Sequence, residues 1–369
     1  MSDQKVKTKE ELKREEKARN KEKLKEENKR LNPPISIGLD IGTMNLVCAR
    51  SDSENIKMTR NVFLKVDKEN ISINEMSNIN YIENGDDIFI IGDDAFQFAN
   101  IFGTSVARPM EKGLISPKEL SAIDVLTLML KELIGDISNK DVYVTYSIPA
   151  SAIDENRSVT YHTKIFARIL GSIGLNHSSL NEAMSIIYSE CAKENYSGIA
   201  ISFGAGMANI SISFRGVEAL TFSTARSGDW IDQQVASDLN MVPNRVTNIK
   251  EKYTDLSGNF NINNKKIKRV VEALFYYYQS MIDYTIKQII KEFDERVDME
   301  IDDEIPIIIS GGTSLPKGFV TLFKNVMDSK EIPFQISEIR RAKNPLTSVA
   351  NGLLIKTIAD VKNILISKS

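Results

Sequence analysis

Residues 35–49 read ISIGLDIGTMNLVCA. Apolar and small residues run from Ile35 to Asp40, the chain turns on Gly42-Thr43, and apolar residues resume over 46–49. That is a strand, a tight turn and a second strand. A turn without bulky side chains lets backbone N–H groups close on an anion, and glycine removes the steric cost of the angles required. The pattern recurs. Residues 198–203 run into Gly204-Ala205-Gly206-Met207 and return over 210–214, and residues 305–309 run into Ser310-Gly311-Gly312-Thr313-Ser314. One glycine turn usually only turns the chain; three at strand ends, the first preceded by Asp40, point to a phosphate-bearing ligand. A carboxylate beside phosphate is repelled unless a cation stands between them, which implies Mg²⁺ held through its water shell. None of the turns is a Walker loop, G-x-x-x-x-G-K-[ST], and none is a G-x-G-x-x-G dinucleotide fingerprint.

Outward from these turns, strands are expected at 61–66, 87–91 and 142–148, and helices at 121–134, 158–173 and, rich in aromatics, 270–293. Mixed strands and helices with two similar strand-turn-strand units describe an α/β protein with a duplicated core. The 369 residues, 42% hydrophobic, suffice for two sizeable cores. Net charge is −3, so nothing global argues for a nucleic-acid partner or a membrane surface. The first 32 residues nevertheless hold 12 Lys/Arg against 8 Asp/Glu. Their apolar residues Val6, Leu12, Ala18 and Leu24 lie six apart, which builds no helical stripe. This segment reads as a charged helix or disordered tail, or as an arm that meets a protein partner or an anionic surface. Pro33-Pro34 closes it.

Cys48 and Cys191 are the only cysteines, both in apolar surroundings, and read as small core residues. With only His162 and His177, neither zinc-ligand spacing nor a histidine-based triad is indicated. No apolar run reaches the roughly 20 residues of a membrane helix, and the N-terminus lacks a secretory apolar core. The expectation is a cytoplasmic protein with no transmembrane segment.

In their order along the chain the motifs resemble the actin and sugar-kinase ATPase superfamily. Gly38-Leu39-Asp40-Ile41-Gly42-Thr43-Met44-Asn45 is similar to its first phosphate loop, in the G-T-x-N form of the bacterial actin MreB. Residues 199–210 resemble the second phosphate loop and 307–316 the adenosine motif. Ser147-Ile148-Pro149-Ala150, Asn181-Glu182-Ala183, and Asn344-Pro345 with 348–352 resemble the connecting segments. Ile90, Gly92, Asp93, Ala95 and Phe96, and Arg108-Pro109 with Gly113-Leu114-Ile115, look most like MreB and its magnetosome relative MamK.

The resemblance spans residues 35–354 and implies an actin-like, ribonuclease H-like duplicated, two-domain fold with a nucleotide cleft. It places a tail at 1–33 and domain I at 34–175, with an insertion at about 60–106. Domain II follows at 176–369, with an insertion at about 240–298 and a segment from about 345 that packs back on domain I. It further implies ATP and Mg²⁺ as cofactors. Asp40 would organise the metal; Gly42, Thr43, Met44 and Asn45 would face the β- and γ-phosphates from one side, and Gly204, Ala205, Gly206 and Met207 from the other. Glu182 matches the acid that positions the attacking water, and Gly311, Gly312, Thr313 and Ser314 would lie against adenosine. Lys250 resembles the lysine near the adenine, with an exposed helix residue as the plain alternative. Asp229 and Asp232 resemble a G-D-x-x-D segment or serve as helix caps. Tyr276-Tyr277-Tyr278 reads as helix packing.

The main departure is Ser202, where the family's D-x-G-x-G-T carries Asp, together with Met207 for the Thr. Serine bonds a water but brings no charge, and one missing water-positioning group costs on the order of 10²-fold in rate. The expected function is a filament-forming cytoskeletal ATPase with slow hydrolysis, its partner being copies of itself. The alternative is a non-polymerising, ATP-dependent switch or scaffold. A chaperone ATPase and a sugar kinase are disfavoured, because neither a substrate domain nor sugar-binding insertions are evident.

Overall fold

The computed structural model describes residues 33–67, 79–85, 87–102, 104–119, 121–137, 141–258, 260–296 and 303–367. The charged segment at 1–32 and the Asn-rich stretch around 68–78 lie outside the described residues, and with them the expected partner arm.

The chain begins with β1 (Ile35–Ile41), β2 (Asn45–Arg50) and β3 (Lys57–Arg60), followed by β4 (Phe63–Asp67), β5 (Tyr81–Asn84), β6 (Asp87–Ile91) and α1 (Gly92–Phe102). A short hairpin, β7 (Met110–Glu111) and β8 (Leu114–Ile115), leads to α2 (Ala122–Ile134), β9 (Val142–Ile148), α3 (Val159–Ser172), β10 (Asn176–Asn181) and α4 (Glu182–Glu190). A second meander follows: β11 (Gly198–Phe203), β12 (Ala208–Phe214) and β13 (Val217–Thr224). Then come α5 (Gly228–Leu239), α6 (Pro243–Tyr253), α7 (Lys265–Asp294), β14 (Ile305–Ser310), α8 (Phe319–Met327), β15 (Ile336–Arg341) and α9 (Ser348–Ser367).

The two principal sheets have one topology. The first is ordered β10-β9-β1-β2-β3 and the second, read in the same sense, β15-β14-β11-β12-β13. In each, an antiparallel meander supplies the first three strands, and two later strands add in parallel beside the first. The duplicated core expected from the repeated strand-turn-strand units is therefore present in the fold. A three-stranded sheet, β4-β6-β5, is separate from both.

Both principal sheets are covered by amphipathic helices. The 30-residue α7 buries Val270, Leu274, Tyr278, Met281, Ile282, Ile286, Ile289 and Phe293, mostly at steps of three and four residues, one face of a 3.6-residue period. Its start is fixed by Asn264, whose side chain accepts from the N–H groups of Lys266 and Ile267. Between the sheets lie α4 and α9. Helix α4 and the α9 residues Val349 and Leu353 share one core with Ala200 and Ile308 of the second sheet, while α9 lies on β1 at Gly38. A Cβ at Gly38 would stand 2.0 Å from the Ala350 carbonyl, and one at Gly352 1.7 Å from the Ser185 carbonyl. Only glycine permits these backbones to approach so closely. Thr357 seals the contact, its hydroxyl donating to the Ile37 carbonyl at 3.0 Å.

Cys48 and Cys191 are buried free thiols, pushed by burial up to about 11 and about 12 respectively. Of the tyrosine run, Tyr278 is buried in the core, Tyr277 packs edge-on to Trp230 and bonds Asp238, and Tyr276 is exposed. Among the described residues no helix is long and apolar enough to cross a membrane.

Candidate functional site

The turns that follow β1 and β11 line one cavity of about 590 Å³. That volume suits a ligand the size of a nucleotide. The cavity is lined by Asp40, Gly42, Thr43, Met44 and Asn45 from the first turn and by Ser202, Gly204, Ala205, Gly206 and Met207 from the second. Glu182, Lys250, Gly311, Gly312 and Thr313 complete the set taken from the sequence. Ser314 is the exception. It is fully buried, its hydroxyl donates to the Gly311 carbonyl at 2.7 Å, and it shapes the turn from beneath instead of lining the cavity.

Two carboxylates of this lining, Asp40 and Glu182, lie near enough for the charge of one to act on the other. Asp40, at the end of β1, accepts from the Ser147 hydroxyl at 2.9 Å, and that hydroxyl in turn accepts from the N–H of Ile41. Glu182 opens α4 directly after the N-cap Asn181, whose side chain accepts from the N–H groups of Ala183 and Met184. The helix N-terminus favours an acid there. Burial pushes both carboxyls above their ordinary range, and the charge of Asp40 pushes Glu182 further, against the lowering effect of its bond from Ser202. Two adjacent, partly buried carboxylates disfavour holding both charges at once.

Ser202 is not a free hydroxyl. It donates to Glu182 Oε1 at 2.5 Å, while Asn209 Nδ2 donates to Oε2 at 2.9 Å. Ser202 and Asn209 are cross-strand partners on β11 and β12, so both grip the same carboxylate from one rung of the sheet. Asn209 also accepts from the N–H of Ala150 at 3.1 Å. The sequence reading missed Asn209. Its signal was a buried amide in the otherwise apolar and Ser-containing β12, ANISISF.

The second turn is fastened through its carbonyls. Gly204 O accepts from the Ser227 hydroxyl at 2.6 Å, the Thr313 hydroxyl at 2.7 Å and Gly228 N at 3.2 Å; Ala205 O accepts from Asp229 N at 2.8 Å. Gly311 has φ +87°, and a Cβ there would lie 2.3 Å from the Phe203 carbonyl, so the third turn demands glycine. The two facing turns also meet directly: a Cβ on Gly206 would stand 2.5 Å from Thr43 Oγ1 and 2.3 Å from the N of Gly113.

Lys250 is not an exposed helix residue. Its ammonium donates to Asp232 Oδ2 at 2.7 Å and to the Gly228 carbonyl at 3.1 Å, with Thr247 bonded to the same Asp232 oxygen. Burial raises the Asp232 carboxyl, with Lys250 and Thr247 opposing. Asp229 pairs with Arg108 at 2.8 Å. Asp229 and Asp232 therefore serve ion pairs, and with Ser227 at the N-cap of α5 the capping alternative is set aside. Arg60, also missed, lies at the cavity rim. It bonds both oxygens of Glu251 on α6, at 2.8 and 3.0 Å, and its guanidinium stands 4.8 Å over the Phe96 ring.

Several solved structures share this fold. The MamK double helical filament superposes with a TM-score of 0.66 at 14% identity, covering 88% of this chain and 98% of that one. MreB5 of Spiroplasma citri bound to ADP gives 0.61 at 14% identity, covering 90% and 98%. A non-polymerising mutant of MamK bound to AMPPNP gives 0.56 at 15%, covering 89% and 99%. At such identities the likeness carries the fold, which is actin-like. Comparison with curated protein sequences finds no match. One family model accounts for residues 35–357, almost everything beyond the charged N-terminal segment, and on that match the chain belongs to the Volactin family.

Proposed function

We propose that the cleft binds ATP together with Mg²⁺, hydrolyses it slowly, and through that cycle controls assembly of the chain into cytoplasmic filaments. The observation that carries this reading is the pairing of two glycine turns in the lining of one cavity with two partly buried, interacting carboxyls, Asp40 and Glu182. Such carboxyls are disfavoured as a bare charged pair and suited to a divalent cation. Asp40 would hold Mg²⁺ through water, and the bound ion would neutralise charge on the phosphates. The residues otherwise supply positioning. With the Gly204 and Ala205 carbonyls engaged on protein donors and the Gly204 N–H donating to the Met207 carbonyl, the amides of Ala205 and Gly206 are left to face an anion. Gly311, Gly312 and Thr313 would bear on the nucleoside, and Lys250, held by Asp232, would flank the base.

Glu182 is the group suited to orient an attacking water, because Ser202 and Asn209 fix both its oxygens. The hydroxyl that replaces an acid at 202 is itself spent on Glu182. The water therefore meets one carboxylate fewer than a paired-acid site would offer, which supports hydrolysis about 10²-fold slower. Assembly rests on the shared fold of the MamK filament. Head-to-tail contacts that do not close on themselves would make the polymer.

Sedimentation with Mg²⁺ and ATP, ADP or no nucleotide tests the assembly claim. Protein pelleting as filaments with ATP, visible by negative-stain electron microscopy, is the expected result. Protein that stays in the supernatant while binding ATP would instead favour a non-polymerising switch.

A further inference from the structure

The segment from Arg108 to Ile115 touches both facing turns. Its hairpin β7–β8 closes on Lys112 and Gly113, at φ +49° and +73°, the left-handed pair of a tight hairpin turn. At the tip, Gly113 N donates to the Thr43 hydroxyl at 3.0 Å, which belongs to the first turn. The same tip packs on the second turn: a Cβ at Gly113 would lie 2.8 Å from Met207 Sδ. At the base, Arg108 pairs with Asp229, whose own N–H holds the Ala205 carbonyl of the second turn. The hairpin is rigidly seated. Arg157 donates to the carbonyls of Glu111 and Ile115 at 3.0 and 3.2 Å, and Lys112 pairs with Glu155 at 2.8 Å.

We infer that this segment is a strap that sets the distance between the two phosphate-facing turns, with Arg108 as a positioning residue acting through Asp229 and Ala205. The inference rests on the proposed nucleotide cleft. It makes Arg108 a determinant of triphosphate over diphosphate, because the terminal phosphate depends most on both turns being correctly spaced. Small displacements remote from reacting groups are costly in such sites. Arg108 acts from a protected position: its side chain is 20% exposed and that of Asp229 16%.

The test is equilibrium titration of the full chain with Mg·ATP and with Mg·ADP, alongside thermal melts, for wild type, Arg108→Gln, Asp229→Asn, the double variant and Arg108→Lys. The strap predicts about a ten-fold loss of ATP affinity in each single variant, with ADP affinity moving less than about two-fold. The double variant should be no worse than either single one, and Arg108→Lys should recover part of the loss. An unchanged ATP preference, equal losses for ATP and ADP, or additive losses in the double variant would overturn it. A wild type that binds neither nucleotide would remove the cleft reading and this inference together, an outcome distinct from all of these.

Discussion

The two glycine turns that face each other across the cleft occupy equivalent places in two sheets of the same topology, yet they are held by different means. The first turn is fixed by its own neighbourhood. Asn61 donates to the Gly42 carbonyl through its side chain at 2.9 Å and to the Met44 carbonyl through its backbone at 2.7 Å. The second hangs by its carbonyls from Ser227, Gly228, Asp229 and Thr313. The acids differ too. Asp40 stands on β1 itself, whereas β11 carries Ser202 at the comparable place and borrows its carboxylate from Glu182 on α4. Duplication thus supplied the scaffold twice, while one carboxylate comes from a strand and the other from a helix steered by a Ser-Asn rung.

The largest effect that would break this comparison is on Glu182. Glu182→Gln keeps the volume and its N-cap but removes the charge, and should lower phosphate release by about 10²-fold or more with nucleotide affinity little changed. A single-turnover assay beside a binding titration separates the two; an unaltered release rate would take Glu182 out of the chemistry.

A more direct probe makes the second half like the first. Ser202→Asp sets a third carboxylate against Glu182 Oε1, where the serine hydroxyl now donates at 2.5 Å. Without a cation this should cost about 2–3 kcal/mol of stability through a buried like-charge contact. Added Mg·ATP should recover much of that loss, as thermal melts would show. Equal melting of variant and wild type without Mg²⁺ would mean that the Ser202–Glu182 bond is not as described.

The contrast extends to buried ionisable groups. In the second half Asp232 accepts from Lys250 and Thr247 through Oδ2, though its Oδ1 has no partner, while on α3 His162 is 1% exposed with neither ring nitrogen partnered. Burial first, then the charge of Arg157, push it down to about 4. The unfolded chain, with an ordinary value near 6.5, takes up the proton at higher pH. This stabilising share is therefore whole above about pH 6.5 and is lost as pH falls toward 4, amounting to about 2 kcal/mol by pH 5. His162→Phe should flatten the dependence of denaturation midpoint on pH over that window, and a slope equal to wild type would count against a neutral buried ring.

Much of the fold was legible because apolar runs and turn residues agree locally: β1, β9, β11 and β14 follow from apolar character ending at glycine or proline, and β2 and β12 from the apolar return after a glycine turn. What escaped was determined by pairing at a distance. Strand β10, Asn-His-Ser-Ser-Leu-Asn, has poor strand composition and exists because it adds in parallel to the edge of β9. Gly38 and Gly352 were read only as members of the first phosphate-loop and last connecting motifs, and their packing role appears only where α9 meets β1 and α4. Within the site, the turns and their acids stood out by type and spacing. Asn209 and Arg60 did not, and Arg108 and Asp229 stood out singly but not as a pair, since each acts through a partner between 27 and 191 residues away.

The central claim is that these facing turns hold a magnesium nucleotide. It is met most directly by titrating the purified full chain with ATP in the presence and absence of Mg²⁺. Saturable binding of one ATP per chain, lost when Mg²⁺ is chelated, is the predicted result. Absence of binding, or binding indifferent to Mg²⁺, would contradict the account.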